Sequence, residues 1–154
     1  MTLHARHPVG AVHVLPSARV LAGRRILVVE DEFLLALDLE VHLKATGAEV
    51  VGPVPSISDA ALLLAIARRL DGAVLDVNLG GEMVYPLADV LLGAGVPIAF
   101  VTGYSRRDLP ERFHHVPRFE KPVAVERLAW ALGQALAPDG EASPSASGAP
   151  HAPP

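Results

Sequence analysis

The sequence predicts a doubly wound α/β domain: a five-stranded parallel sheet, strand order 2-1-3-4-5, with helices on both faces. Three observations lead there. Short runs such as RILVVE (Arg25–Glu30) and PIAFVT (Pro97–Thr102) are apolar almost throughout and of strand length, as strands buried on both faces of a parallel sheet are. Segments with helical periodicity alternate with these runs, which is the pattern of βα units. Five such units in about 114 residues, joined by right-handed crossovers, leave few topologies, and 2-1-3-4-5 is one of the common ones.

The elements follow in order. Arg25–Glu30 is the first strand, and Glu32–Thr46 the first helix, with Gly47 just past its end. Phe33, Leu34, Leu37 and Val41 read as the core-facing stripe of that helix. Leu35, Leu39 and Leu43 form a second apolar stripe, open to two readings: docking of a partner, or packing against the last helix. Glu49–Val54 is the second strand, after which Ser56 and Asp59 resemble a capping box ahead of a helix over Ala60–Arg69. Gly72–Asp76 is the third strand and Val84–Gly93 a helix that tolerates Pro86 in its first turn. Pro97–Thr102 is the fourth strand. In the following segment, SRRDLPERFHHV, Pro110 leaves any helix short or broken, so it reads as weakly ordered, with His114 and His115 on the surface. Val116–Glu120 is a short fifth strand, and Val123–Leu136 the last helix, with Val125, Leu128, Ala129, Leu132 and Leu136 on one stripe.

Composition sets the outer limits. The chain has 154 residues, 51% of them apolar and 19% charged, enough to build one core and too apolar for wholesale disorder. The absence of cysteine removes disulfides, thiolate metal sites and cysteine nucleophiles together, and the compartment expected is the cytosol. Apolar runs such as Ala60–Ala67 fall short of the roughly 18–20 residues of a membrane span. A net charge of -4 argues against non-specific nucleic-acid binding. Residues 1–23 contain no acid and carry His4, His7 and His13 at spacings that match no defined metal site. They lack a continuous apolar segment with a cleavage pattern, so they read as a flexible extension or an early start codon. From Pro138 the sequence is a Pro/Ala/Ser/Gly tail, read as disordered. The folded unit expected is 24–137.

In such a sheet ligands bind outside the carboxyl ends of the strands. Those ends carry Glu30, Asp31 and Glu32 on strand 1, Asp76 on strand 3, Thr102 on strand 4 and Lys121 on strand 5. In the order 2-1-3-4-5 these strands are neighbours, so the residues converge. Carboxylates so close repel one another unless a cation sits among them, and hard oxygen ligands with room for water suit Mg²⁺. The charges of Glu30, Asp31 and Asp76 are balanced by Mg²⁺ and the Lys121 ammonium. A phosphoryl group on Asp76 would then be held by the metal, Lys121 and the Thr102 hydroxyl, the parts that phosphoryl transfer requires. Each residue alone has a plainer reading. Asp76 or Thr102 could cap a turn or helix, Lys121 before Pro122 could be a solvated loop residue, and the acidic run could answer the helix dipole. Their convergence on one edge of adjacent strands overrides these readings.

The motifs RILVVEDE, AVLDVNLGGE, FVTGY and EKPV, in this order and spacing over residues 24–137, resemble those of the receiver domain of two-component response regulators. EVVGPVPSISDA and FVTGY are further similar to a subgroup of stand-alone α-proteobacterial receivers with a Phe-x-Thr-Gly-Tyr motif. The resemblance implies a flavodoxin/CheY-like (βα)5 fold, Asp76 as phosphoacceptor, and Glu30 and Asp31 as the metal-binding acidic pair. It also implies the Asn78 main-chain carbonyl as a further Mg²⁺ ligand, Thr102 and Lys121 as phosphoryl contacts, and a cis Lys121–Pro122 peptide. Glu32 receives no role beyond charge at the helix N-terminus, and Gly103 leaves the phosphoryl site open. Receivers usually carry an aromatic switch residue three positions before the Lys. Here that position is Arg118, and Phe119, one residue later, would face the other side of the strand. The resemblance points instead to Tyr104, as a switch or as a shield of the aspartyl phosphate against water.

The expected function is therefore that of a single-domain response regulator, phosphorylated by a histidine kinase or histidine phosphotransferase. It is expected to signal through an unknown downstream protein rather than through DNA, with no catalysis beyond self-phosphorylation from small donors and autodephosphorylation. A phosphate sink and a phosphorylation-independent interaction module are the alternatives, the intact site residues counting against the second. A dehalogenase-type hydrolase would need a second Asp where Asn78 stands, and a dinucleotide site would need glycines absent from Glu30–Leu34.

Overall fold

A computed structural model of the chain describes residues 19–67 and 69–137; most of the sequence-read extension (1–18) and the whole tail (138–154) lie outside the described residues. In chain order the elements are β1 (Arg25–Val29), α1 (Phe33–Ala45), β2 (Glu49–Val54), α2 (Ile57–Ile66) and β3 (Gly72–Asp76). A two-stranded hairpin follows, β4 (Asn78–Leu79) and β5 (Glu82–Met83), then α3 (Tyr85–Gly93), β6 (Ile98–Thr102), β7 (Arg118–Glu120) and α4 (Val125–Leu136). The main sheet is parallel with order β2-β1-β3-β6-β7. With the hairpin set apart, this is the topology that the sequence predicts.

Successive strand residues go to opposite faces. Ile26 and Val28 of β1 pack with Leu39 and Leu43 of α1 and Leu128 and Leu132 of α4. Leu27 and Val29 pack instead with Ala60 of α2 and Leu87 and Leu91 of α3. The stripe on α4 is as expected, with Val125, Leu128, Ala129 and Leu132 buried.

The stripes of α1 are the reverse of the sequence reading. Leu39 and Leu43 are fully buried, whereas Phe33 (76% exposed), Leu34 (73%), Leu37 and Val41 face solvent. Both stripes are apolar, so periodicity alone does not select one. The selection is made by α4, whose Leu128 and Leu132 share a core with Leu39 and Leu43. Of the two readings left open for Leu35, Leu39 and Leu43, packing against the last helix is the one observed.

Two other segments differ from expectation. The helix α2 begins at Ile57 rather than Ala60, because Ser56 is itself the N-cap, its hydroxyl oxygen accepting from the Asp59 N–H at 3.1 Å. Between β6 and β7 the chain is broken at Pro110 as expected, into two 3-10 turns, Arg106–Asp108 and Glu111–Phe113, but it is not weakly ordered throughout. That segment is anchored. Leu109, Phe113 and Val116 are buried, and Phe113 stacks on Tyr85 at 5.3 Å and meets Phe100 edge-on at 5.5 Å. His115 is exposed as expected, whereas His114 is half-buried, with Nε2 at 3.0 Å from the Leu109 carbonyl.

The folded unit also begins before residue 24. Leu21 is fully buried, its N–H donating to the Thr46 carbonyl at 3.1 Å, while the Gly23 N–H donates to Gly47 at 3.0 Å. Val20 lies against α4 at Gly133, where a Cβ would come within 2.5 Å of the Val20 side chain. This contact accounts for a glycine inside a helix, where it costs about 1 kcal/mol relative to alanine. At the far edge, the pairing of β2 with β1 slips at Gly52–Pro53, between the Leu27–Val51 and Val29–Val54 pairs. Among the described residues no helix is long and apolar enough to cross a membrane.

Leu39→Ala should cost about 2–5 kcal/mol, the usual range for emptying a filled core position. Leu34→Ala, on the exposed stripe, should stay within about 0.5 kcal/mol. Urea denaturation of the two variants measures both; equal losses would contradict this orientation of α1.

Candidate functional site

Parallel strands deliver their carboxyl ends to one edge, and the polar residues singled out from the sequence meet there. Asp31, Asp76, Asn78, Thr102, Tyr104 and Lys121 line a cleft of about 400 Å³. Glu30 lies behind them, buried like Asp76 and Thr102. Carboxylate oxygens of Glu30, Asp31 and Asp76 all lie within 4.8 Å of one another. Lys121 faces them from the end of β7. Its Nζ donates to Asp76 Oδ2 at 3.0 Å and sits 3.3 Å from Glu30 Oε2. The Lys121–Pro122 peptide is cis, as is Gly52–Pro53.

The electrostatics follow from that crowding. Burial raises the Glu30 carboxyl to about 7; the Glu32 N–H pulls it down and the neighbouring Asp76 carboxylate pushes it up further. For Lys121, burial opposes the charge, but the bond to Asp76 and the attraction of Asp76 and Glu30 outweigh it, and the ammonium titrates above its usual range. Glu30 Oε2 is buried without a hydrogen bond. Although Lys121 Nζ is near, its hydrogen bond to Glu30 goes to the other oxygen, at 3.4 Å. An orphaned carboxylate oxygen beside two further carboxylates is a donor set suited to a hard divalent cation.

Two features of the site are not apparent in the sequence reading. Glu32, given only a helix-terminal role, makes no side-chain cap; its carboxylate lies 3.6 Å from Lys121 Nζ. The hairpin β4–β5 is the other. Gly80 and Gly81 have φ of 64° and 98°, which is the two-residue turn with positive φ that fits a twisted hairpin. The Gly-Gly pair flanked by Asn78-Leu79 and Glu82-Met83 is the signal that identifies it. The hairpin fixes Asn78: its Oδ1 accepts from the Gly81 N–H at 2.7 Å, and its main-chain N–H donates to Asp76 Oδ1 at 3.2 Å.

Asn78 in turn reaches Tyr104, donating from Nδ2 to the phenolic oxygen at 3.0 Å. The Tyr104 N–H donates to Thr102 Oγ1 at 3.0 Å. Tyr104 thus spans the cleft from β6 to the hairpin. Strand alternation places Phe119 with Val101 on the α1/α4 face, as the sequence predicts, and Arg118 opposite Phe100 on the other. Gly103 lines the cleft, and a Cβ there would meet nothing within 4 Å.

Known proteins resemble this chain in sequence and fold. The chain is 30% identical over 114 residues to the phyllosphere-induced regulator PhyR of Methylorubrum extorquens, covering 72% of this chain and 43% of PhyR. The solution structure of SdrG from Sphingomonas melonis is 36% identical, with a TM-score of 0.64, covering 74% of this chain and 97% of SdrG. A second structure, of the BeF3-activated conformation of SdrG, is 37% identical with a TM-score of 0.63, over 75% and 98% of the two chains. The chain belongs to the response-regulator receiver domains. A further member is a response regulator from Burkholderia pseudomallei, solved with a phosphorylated aspartic acid, a calcium ion and citrate. It is 25% identical, with a TM-score of 0.60, over 71% of this chain and 66% of that one. No protein-family model matches, and the chain spans about half the length of the curated relatives it matches.

Because the carboxylates of this receiver domain repel one another, a divalent cation should stabilise it by mass action. A gain of about 1 kcal/mol would raise Tm by roughly 4 °C. Thermal melts in millimolar Mg²⁺ should show such a rise in the wild type and much less in Asp31→Asn. Identical melts with and without metal would argue against the site.

Proposed function

We propose that the chain accepts a phosphoryl group on Asp76 from a histidine kinase or histidine phosphotransferase and signals by protein–protein contact. The observation that carries this reading is the buried Asp76 carboxylate, bonded to Lys121 at 3.0 Å and sharing an open cleft with Thr102. A carboxylate oxygen of Asp76 attacks the phosphorus of a phosphohistidine. The P–N bond breaks and the imidazole leaves, taking up a proton. Lys121 already stands where it can follow the oxygen that becomes esterified and neutralise the phosphoryl charge. The Thr102 hydroxyl has its own proton free to donate, because its oxygen is the acceptor for Tyr104. Mg²⁺ is the cation proposed for Glu30, Asp31, Asp76 and the Asn78 main-chain carbonyl, and it would supply positive charge against the phosphoryl oxygens. The phosphorylated aspartic acid of the Burkholderia pseudomallei regulator and the BeF3-activated form of SdrG support the same chemistry here. Turnover would be confined to self-phosphorylation from small donors and autodephosphorylation, and the switch is assigned to Tyr104.

The phosphodonor would dock on the N-terminal half of α1. Phe33, Leu34 and Leu37 are exposed there between two apolar clefts. One cleft shares Glu30 and Asp31 with the carboxylate cluster, and the other shares Lys121. A helical partner seated on this face therefore brings a histidine to the cleft, and exposed apolar side chains are the anchors such contacts use.

Incubation with acetyl phosphate and Mg²⁺ should add one phosphoryl group to the wild type and none to Asp76→Asn, as read by intact mass. Equal labelling of the two would end the assignment to Asp76, and labelling of neither would favour a phosphorylation-independent module. Leu34→Arg should slow transfer from a phosphorylated histidine donor by about ten-fold or more, the effect of losing an interface anchor. Its labelling by acetyl phosphate should match the wild type. A loss of both would place the defect in the cleft rather than at the docking face.

A further inference from the structure

Arg118 occupies the strand position opposite Phe100, on the face of the sheet that carries the 103–117 segment. It is half-buried, and its Nη1 donates to the main-chain carbonyl of Tyr104 at 2.9 Å. Tyr104 is thereby held at three points by three different elements. Thr102 of β6 accepts from its N–H, Arg118 of β7 donates to its carbonyl, and Asn78 of the hairpin donates to its hydroxyl. Two of these partners, Thr102 and Asn78, line the cleft with Asp76. The third reaches Tyr104 from the strand that leads directly into Lys121. A carbonyl fixed by a guanidinium sets the direction of the whole residue, because the peptide plane cannot turn without breaking the bond.

We propose that Arg118 is a positioning residue that latches the Tyr104 loop to β7 and so keeps the Tyr104 ring bonded to Asn78 across the cleft that holds Asp76. The inference rests on the phosphoacceptor reading of Asp76 and adds to it the element that sets the lifetime of the phosphoryl group. With the latch in place, the Tyr104–Asn78 bond spans the cleft and restricts the approach of water to the phosphorus. Without it, the main chain of Tyr104 is tied only through Thr102, and the bond to Asn78 alone has to hold the ring in place. Thr102 and Arg118 bind the amide and the carbonyl of the same residue, so a pull on one loads the other.

The test is the rate at which phosphoryl is lost from the labelled protein in Mg²⁺, followed by intact mass. Arg118→Ala should lose it about five-fold faster, the factor that one hydrogen bond supplies, and Arg118→Lys, which keeps a donor, should restore most of the difference. Tyr104→Phe removes the hydroxyl bond to Asn78 and should raise the rate similarly. The double variant should be no faster than the quicker single one, because both changes open the same latch. A wild-type rate in Arg118→Ala, or additive effects in the double variant, would overturn the latch; so would failure of Arg118→Lys to restore the rate in a folded protein. Failure of the wild type to accept phosphoryl would count against the Asp76 reading instead. The latch would then be judged from the unphosphorylated protein, where Arg118→Ala should shift the Tyr104 ring and Asn78 side-chain amide signals in NMR spectra. Unmoved signals would reject it.

Discussion

A parallel sheet brings the carboxyl ends of its strands to one edge, and in this domain that edge collects more negative charge than a partly buried site tolerates unaided. Glu30, Glu32 and Asp76 all place an oxygen within 3.6 Å of one ammonium, that of Lys121. The consequences spread from there. Lys121 must be carried across the sheet by β7, which is why a strand of only three residues holds its place beside β6. Glu30 must be sealed under the cleft, where burial rather than any specific partner dominates its titration. Breaking such a cluster by removing its cation would leave uncompensated buried charge, which is among the most destabilising of single changes.

How much of this was legible depended on whether a feature is local. The strands were readable because a parallel strand is apolar on both faces, and their bounds for β2 and β3 agree with the structure residue for residue. The convergence of Glu30, Asp31, Asp76, Thr102 and Lys121 was readable too, since sheet order alone makes their strands neighbours. The face of α1 was not. Its sequence, FLLALDLEVHLKA, is apolar on nearly every side, and the face that is buried is set by a helix about ninety residues later in the chain. Leu21 was missed for a similar reason. A single leucine before β1 has no periodicity, and its burial depends on Gly47 and Gly133 leaving room for the chain beside it.

The segment between β6 and β7 divides into two parts with different physics. Residues 109–117 are pinned by Leu109, Phe113 and Val116, and Arg112 forms a two-pronged bond to Asp89 of α3, both contacts at 3.1 Å. Residues 105–108 are exposed and closed on themselves, Asp108 accepting from both the N–H and the hydroxyl of Ser105. Those bonds hold the Asp108 carboxyl below its usual range. A helix over the whole stretch would have moved as one rod. The two turns on either side of Pro110 instead separate an exposed part next to Tyr104 from a part packed into the core. Few buried contacts are what distinguishes the segments of a fold that open first.

The slip in β2 has a further consequence, for association. A parallel sheet ends in two edge strands whose unpaired backbone groups can template another chain. Here one edge is β2, in which Pro53 lacks a donor and the slip at Gly52–Pro53 bends the ladder out of register. The other is β7, three residues long and carrying Arg118 and Glu120. Neither edge offers the length of flat, regular backbone that strand-to-strand addition requires, so self-recognition through the sheet is disfavoured at both ends.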